Sequence, residues 1–488
     1  MSMLSGNSPY IIFSSEIVIL VTSCLILLIG MFINNKFLVN KLTLIFSILG
    51  LFISTICSFF LLKNDRLFFI NNFFINDKLV QLIKLCVYFF AFIFFLYSWF
   101  YIVKHDLNYV SEYYVLSLFS ILGMMILVSS YSFLTIYLGL ELLSFPIYVM
   151  IVIFCIGNNE IEAALKYFFM GAIASGLLLY GISLLYSLTG KLDLISIFKV
   201  IKSGNLEQSQ MLFMFASILV LSTFSFKLSI APFHMWAPDV YEGSSIPVTL
   251  FISTIPKISI LGVLLHFLIP NYCNNIFFQW KFFFLIILLF SIGIGNILAI
   301  FQSNIKRFLA YSSISHIGYS ILGLLCKVNF SYSAVIYYFI FYSLSVSAFF
   351  GFLTVLSVIY NKDIRFFYEL KGLNRVDPLL AFFVLTVIFS IAGIPPTIGF
   401  FAKFYILKIL VENHLFWIAI FSLLFSVIGL FNYIYIIKII YFDDFNGQFN
   451  FVKSFKVVKM VFFIHCLFLI ILGIFPSILM DICINILH

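Results

Sequence analysis

Long apolar runs follow one another along almost the whole chain, separated by short polar loops. A window of about 19 residues finds about fourteen such runs, and a helix needs about 20 mostly apolar residues to cross a bilayer. Strands of a membrane barrel would be about 10 residues long and would alternate in polarity, whereas these runs are longer and do not alternate. Hydrophobic residues make up 64% of the chain and charged residues 9%, which is far from the balance of soluble domains. The sequence therefore predicts an all-α polytopic membrane protein with about 14 transmembrane helices.

By residue number, the runs lie at 10–32, 41–62, 79–101, 113–129, 131–156, 162–187, 211–230, 247–268, 281–303, 306–325, 333–360, 379–407, 415–441 and 457–480. The longest polar loops, 188–208 and 361–378, are too short for a soluble domain, so residues 1–488 are expected to form a single membrane domain. The first run carries Glu16 and lacks a basic leader or a small-residue cleavage site. We therefore expect a retained helix and not a signal peptide.

The lysines and arginines of the loops predict how the chain is oriented. If the N-terminus lies outside, the inside loops hold slightly more of them, and the strongly basic loop 361–377 decides the balance. Both termini are therefore expected outside. The net charge of +8 is attributed to such flanks beside the lipid bilayer, and no nucleic acid is expected as a partner.

Motifs for a bound metal, redox centre or nucleotide are missing from the sequence. The eight cysteines and seven histidines are scattered singly, without the close spacing of zinc or iron–sulfur ligands. A glycine-rich phosphate loop would follow a strand, and no strands are expected here. The chain is thus predicted to work without a cofactor of its own.

Four ionisable residues of the apolar runs are the main candidates for a function in the membrane. Glu141, Lys227 and Lys257 lie within them, and Lys403 lies near the end of the twelfth. Charges inside a bilayer are energetically costly and commonly mark ion or proton pathways. Burial lowers the pKa of a lysine and raises that of a glutamate, while an opposite charge nearby reverses both shifts. A buried lysine can therefore hold or release a proton according to the position of its partner, which suggests a path for protons or cations.

Structural roles are the alternative for each of these residues. Lys403 and Lys227 lie near run ends and could extend to the membrane surface, and Lys257 and Glu141 could form buried structural contacts. Three histidines, His234, His266 and His316, have the same alternative, because histidines are more often structural than proton shuttles.

Prolines break two of the runs. Pro232 has no N–H for the carbonyl of Leu228, and Pro395 and Pro396 have none for those of Ile391 and Ala392. Unpaired backbone at membrane depth is tolerated where it is buried in protein or lines a water-filled cavity. Two broken helices, the seventh and the twelfth, are thus two candidate cavities.

These breaks recur after five runs. Runs 7 and 12 each carry a lysine near a proline break, and runs 8 and 13 hold Lys257 and Lys438. A repeat of five helices inverts its direction in the membrane, and interrupted helices at matching positions point to a transport site. We expect three N-terminal helices in 1–110, inverted repeats in 111–270 (runs 4–8) and 280–442 (runs 9–13), and a C-terminal helix in 443–488.

Several motifs follow one another along the chain: GLELLSFPIY, EAALKYFFMGAIASGLLLYGISLLY, FKLSIAPFHMWAPDVYEG, STIPKISI, KRFLAYSSISHIGY and AGIPPTIGFFAKFYILK. Together they resemble one family of membrane proteins, the antiporter-like subunits of proton-pumping NADH:quinone oxidoreductase, respiratory complex I. The resemblance covers most of the chain and is strongest from about 130 to 440.

This resemblance implies a role for each matching residue. Glu141 would pair with Lys227, Lys257 would link two half-channels, and Lys403 would close the proton path. Glu162 and Lys166 match a second acidic and basic pair of the family, although an i,i+4 pair can be a simple ion pair on a helix surface.

The resemblance also implies a function. The chain would be a proton-translocating subunit that couples electron transfer from NADH to quinone, carried out in other subunits, to proton transport. NADH, FMN, iron–sulfur clusters and a quinone are expected in those other subunits. The expected partners are a neighbouring antiporter-like subunit and small membrane subunits of complex I. The abundance of Phe, Ile, Asn and Tyr is typical of an AT-rich genome, either mitochondrial or reduced bacterial. The C-terminal half resembles bacterial members more, so a bacterial inner membrane is expected, with the mitochondrial inner membrane as the alternative.

Two other classes of function are open. An Mrp-type cation/proton antiporter subunit shares these motifs and would carry Na⁺ or K⁺ through the same broken helices. A purely structural subunit would keep the helices but would tolerate loss of the ionisable residues.

Overall fold

Helices account for nearly all of the architecture of the computed structural model, which describes residues 9–33, 35–62, 66–154, 157–202, 210–268, 274–326, 329–444 and 456–487. Thirteen helices in this part of the chain are long and apolar enough to span a membrane. The prediction of an all-α polytopic membrane protein is confirmed. Some loop lysines that enter the predicted orientation lie outside the described residues, namely Lys63, Lys327 and Lys453.

The first half of the chain contains α1 (Pro9–Ile12), α2 (Ser14–Phe32), α3 (Lys36–Leu61), β1 (Leu67–Phe69), β2 (Phe74–Asn76), α4 (Lys78–His105), α5 (Val110–Ser129), α6 (Phe133–Val152), α7 (Asn158–Thr189), α8 (Leu194–Lys202), α9 (Gln210–Lys227), α10 (Trp236–Gly243) and α11 (Ile246–Leu268). The second half contains α12 (Asn274–Ile300), α13 (Ile305–Leu322), α14 (Asn329–Tyr360), α15 (Leu373–Val376), α16 (Pro378–Ala392), α17 (Ile398–Glu412), α18 (Phe416–Tyr441), α19 (Lys456–Ile474) and α20 (Pro476–Leu487). Short 3-10 turns lie at Gly323–Leu325 and Phe367–Leu370.

Two apolar helices form the centre of the molecule. The most apolar stretches of α11 and α14 are completely buried, and α13 is nearly so. By contrast, α2, α3 and α18 carry many exposed large apolar side chains. A helix that is apolar all round belongs in an interior, and the exposed apolar faces of the outer helices suit lipid or neighbouring subunits. The interior therefore lies along α11, α13 and α14.

Both predicted helix breaks are present. The seventh run forms α9, which ends at Lys227, and the chain becomes helical again in α10, beyond the end of that run. The twelfth run is divided into α16 and α17. The fourth and fifth runs, which almost touch in the sequence, are separate helices that end at Ser129 and begin at Phe133. The last run was expected to be one helix, but Pro476 begins a new helix there, since proline suits the first helical position and interrupts a helix interior.

A small hairpin is an exception to the expectation that no strands occur. β1 and β2 pair antiparallel, with Leu67 opposite Asn76 and Phe69 opposite Phe74. The turn places Ile70 and the two asparagines that follow it at positive φ, a conformation that asparagine tolerates better than most residues. Two three-residue strands, mostly apolar, on either side of an Asn-Asn pair therefore indicated a hairpin. The strands are much shorter than the apolar runs of the helices, so the pattern was overlooked.

Candidate functional site

Lys227 ends α9 at the first break, where it is 5% exposed. The chain then leaves the helix, with Ser229 at φ +59°, and resumes it at Trp236. The sequence predicted that the Leu228 carbonyl would lack a partner. That prediction is wrong, because the turned backbone allows the Ser229 hydroxyl to donate to the Leu228 oxygen at 2.5 Å. The break is therefore locally satisfied, and Lys227 remains buried beside it.

Lys403 lies on α17, just after the second break. Its Nζ donates to the carbonyl oxygen of Ala392, the last residue of α16, at 2.7 Å. The Ala392 carbonyl was also predicted to be unpaired, and this prediction is wrong as well: the lysine replaces the N–H that Pro396 lacks. The Lys403 side chain passes Gly393, where φ is +83° and an added Cβ would lie 3.0 Å from the lysine Cδ. Glycine at this position thus serves both the turn and the passage of the lysine.

Lys257 occupies the interior of the molecule. Its side chain is completely buried on α11, and Nζ donates to the Ser313 hydroxyl and the Tyr342 hydroxyl, each at 3.2 Å. The Tyr342 and Tyr241 rings lie 5.1 and 5.8 Å from the same nitrogen. Among the described residues, no carboxylate lies within 4 Å of it. Hydroxyl groups can donate as well as accept, so this pocket can hold either the ammonium or the neutral amine.

His316 lies close to Tyr342, the tyrosine that binds Lys257. The centroids of the His316 and Tyr342 rings are 5.9 Å apart. His316 Nδ1 shares a hydrogen bond with the Tyr338 hydroxyl at 2.9 Å, and its Nε2 contacts the Tyr433 hydroxyl at 3.3 Å. The surroundings of Lys257 therefore continue into a group of side chains that can exchange protons.

Glu141 lies half-buried on α6. No oxygen of Glu141 lies within the 4.0 Å of a salt bridge to the Lys227 nitrogen. The two residues are therefore not in direct contact in this structure, and their pairing stays a prediction.

Glu162 and Lys166 form a salt bridge of 2.8 Å on the outer surface of α7, with 65% and 44% of their side chains exposed. Lys166 also contacts Asp239 of α10 at 2.8 Å, and Asp239 contacts Arg307 of α13 at 3.1 Å. This surface network borders a cleft of about 650 Å³ lined mostly by apolar side chains. The pair is therefore separate from the buried lysines.

His234 and Lys438 differ sharply in their surroundings. His234 is buried in the first break, 6.4 Å from the Tyr311 ring, and its Nδ1 has no partner among the described residues. Lys438 lies in the last turn of α18 with its side chain exposed. The five-run spacing matched Lys438 with Lys257, but in the structure Lys438 does not lie near the buried lysines.

Tyrosine and serine hydroxyls are the part of the site that sequence reasoning missed. Tyr338 and Tyr342 are four residues apart on α14, and Ser313 lies three residues before His316 on α13. Such spacing puts each pair on one helix face. The signal was present in the sequence, but tyrosines in a long apolar run are equally typical of a packed interior.

Two broken helices, each with a lysine beside its break, and a completely buried Lys257 fit one class of protein: an antiporter-like membrane subunit. Residues 130–429 match the family model described as "NADH:quinone oxidoreductase/Mrp antiporter, TM". NADH-quinone oxidoreductase subunit N of Thioalkalivibrio sulfidiphilus is 40% identical over 474 residues, 96% of each chain. The same-named protein of Coxiella burnetii is 38% identical over 95% of each chain. The chain belongs to the NADH-quinone oxidoreductase subunit N family.

Solved structures share the fold. A chain of respiratory complex I from Thermus thermophilus superposes with a TM-score of 0.78 at 26% identity, covering 96% of this chain and 98% of that chain. A chain of the Mrp complex from Dietzia sp. superposes with a TM-score of 0.81 at 16% identity, covering 98% and 96%. The second likeness is one of fold alone.

Proposed function

We propose that this chain is a proton-translocating membrane subunit of NADH:quinone oxidoreductase in a bacterial inner membrane. The observation that carries the proposal is the placement of three lysines in a chain of the subunit N family. Lys227 and Lys257 are buried, and Lys403 is half-buried and donates to the backbone of the second helix break. The bacterial sources of the relatives support the location. NADH, FMN, iron–sulfur clusters and quinone would be bound by other subunits, and the partners would be a neighbouring antiporter-like subunit and small membrane subunits.

The proposed proton path runs from Lys257 to Lys403 through His316. The Tyr342 hydroxyl next to Lys257 and the Tyr338 hydroxyl next to His316 supply intermediate donors and acceptors. A hydroxyl can accept a proton on one side and give one up on the other. Burial disfavours the ammonium form of a lysine, so small changes in the local field are enough to move a proton along such a row.

The second break would couple proton release to backbone geometry. A charged donor makes a stronger hydrogen bond than a neutral one, so Lys403 holds the Ala392 carbonyl most firmly while it is protonated. Loss of its proton weakens that bond and loosens the junction between α16 and α17. We propose that this loosening opens the end of the path.

Glu141 would set the charge state of the first break. A carboxylate near a lysine favours the charged form of that lysine, and we propose that Glu141 has this role for Lys227. A shift of either helix toward direct contact would strengthen that preference, and a shift away would favour proton release. We further propose that residues 111–270 and 280–442 are inverted repeats, each of which contributes one broken helix.

Reconstitution of the complex in liposomes tests the proposed function. NADH-driven proton uptake, measured with a pH-sensitive dye, should persist in Na⁺-free and K⁺-free buffer. Uptake that appears only when Na⁺ or K⁺ is supplied would instead support the Mrp-type alternative, in which the same broken helices carry a metal cation.

A further inference from the structure

A buried ion pair lies apart from Lys227, Lys257 and Lys403. Lys84 Nζ of α4 contacts Glu16 Oε1 of α2 at 2.5 Å, with 2% and 7% of the two side chains exposed. The Ser15 hydroxyl donates to the other carboxylate oxygen at 2.8 Å. A buried ion pair is weak evidence for a role in stability, because desolvation can exceed the Coulombic gain. Inside a membrane, such a pair instead suggests function.

Lys84 belongs to a polar stripe on α4. Asp77, Gln81, Lys84 and Tyr88 follow one another at intervals of four, three and four residues, which places them on one face of the helix. Asp77 caps the start of α4, next to the β1–β2 hairpin. Tyr88 is completely buried about one helical turn beyond Lys84. The stripe therefore runs from the hairpin face of the molecule into its interior.

Contacts between α4 and α11 give the depth that the stripe reaches. Ile83 packs against Gly262, where an added Cβ would meet the isoleucine at 2.7 Å. The rings of Phe94 and Phe251 lie 4.8 Å apart. The two contacts are the same number of residues apart on each helix, so α4 and α11 are antiparallel in a constant register.

In that register, Tyr88 lies at the depth of Lys257. At 1.5 Å per residue, Tyr88 lies about 16 Å from Asp77 along the helix, roughly half of the hydrocarbon thickness of about 30 Å. Lys84 lies about one turn nearer the hairpin. The stripe thus spans the distance between one membrane face and the central lysine.

Several buried polar atoms near the start of the stripe have no hydrogen-bond partner among the described residues. They include Asn76 Nδ2, Gln81 Oε1 and both ring nitrogens of His266. Gln81 Nε2 donates to Asn76 Oδ1 at 2.5 Å, and His266 Nε2 lies 3.7 Å from Asp77. Nearly all buried polar groups are hydrogen-bonded, and polar groups at membrane depth are tolerated where they line a hydrated cavity. This part of α4 therefore suits a proton-conducting path better than a dry interior.

We propose that the α4 stripe is a further proton-conducting branch, which joins the hairpin face to the depth of Lys257, with Glu16 and Lys84 as its proton-holding pair. The proposal rests on the proposed proton transport through Lys257. Transfer of a proton from the Lys84 ammonium to the Glu16 carboxylate leaves an amine and a carboxylic acid, so the net charge of the pair does not change. The neutral pair can then take up a proton on one side and release one on the other.

A double variant tests the branch in the assembled complex. Glu16→Gln with Lys84→Met removes both charges and keeps similar side-chain volumes, and replacement of a buried ion pair by uncharged groups is often tolerated. The expected result is a normally assembled complex whose proton uptake per NADH oxidised falls as far as in Lys257→Met. Adding Lys257→Met to the double variant should produce no further loss, because groups that act in series are not additive.

Proton uptake at the wild-type ratio in the double variant would overturn the branch and leave the pair a structural contact. If Lys257→Met also takes up protons at the wild-type ratio, both the branch and the proposed function fail. Should the double variant not assemble, Tyr88→Phe decides the question: it removes one hydroxyl, and normal pumping by that variant would also overturn the branch. The matched control neutralises the exposed pair Lys408 and Glu412, which should leave uptake unchanged.

Discussion

Replacing Lys403 should change the structure of the second break as well as transport. Lys403→Met removes the donor to the Ala392 carbonyl and leaves that oxygen unpaired in the interior. Loss of one partner of a buried hydrogen bond has a free-energy cost of about 1–3 kcal/mol. That cost corresponds to an increase of about 5- to 150-fold in the population of the locally opened break.

Hydrogen–deuterium exchange of the purified complex measures this population. The amides of Gly393 and Ile394, which donate to the Phe389 carbonyl, report directly on the break. In Lys403→Met they should exchange about 5- to 150-fold faster than in the wild type, with proton uptake lost. Lys403→Arg should restore slow exchange, because it remains a charged donor, but not transport, because its pKa is too high for proton release. Lys408→Met, on an exposed side of the same helix, is the matched control.

Unchanged exchange in Lys403→Met would refute the idea that the lysine holds the break closed. Normal pumping by Lys403→Arg would refute the idea that this residue must release a proton. The two results are independent, so the structural and the transport parts of the reasoning can fail separately.

Other substitutions test the remaining parts of the path. Glu141→Gln should abolish most proton uptake in membrane vesicles while native gels show an assembled complex, and near-normal pumping would remove Glu141 from the mechanism. Replacing Pro395 and Pro396 together by Ala restores two N–H donors, which would compete with Lys403 for the backbone carbonyls at the end of α16. NADH oxidation and pumping should both slow. Unchanged activity would show the break to be incidental. Tyr342→Phe removes one of the two hydroxyl partners of Lys257 and should slow proton uptake in stopped-flow measurements, whereas an unchanged rate would exclude that hydroxyl from the path.

The sequence predicted those features that depend on local chain chemistry. Spanning helices follow from the length of apolar runs, and the breaks follow from prolines that cannot donate a backbone hydrogen bond. The burial of Lys257 was predictable from its position in the middle of a run. Local sequence also contained the hairpin around Asn71 and Asn72, but its triplets were too short to stand out from the helical runs.

Features that depend on tertiary contacts were not predictable. The partner of the Ala392 carbonyl is a side chain eleven residues away, beyond a turn whose path depends on Gly393. Glu16 and Lys84, which pair across two helices, are 68 residues apart in the chain. Neither contact has a signature in residue spacing, since each depends on how separate helices pack.

Lys257 offers the most direct test of proton transport through this chain. It is completely buried and held by hydroxyls, so Met fits the site without a proton to carry, and Arg stays charged without releasing one. NADH-driven quinone reduction and proton uptake should be measured together in both variants, with assembly checked on native gels. Loss of proton uptake in both assembled variants is the predicted result, and a Lys257→Met variant that still pumps would contradict the proposed path.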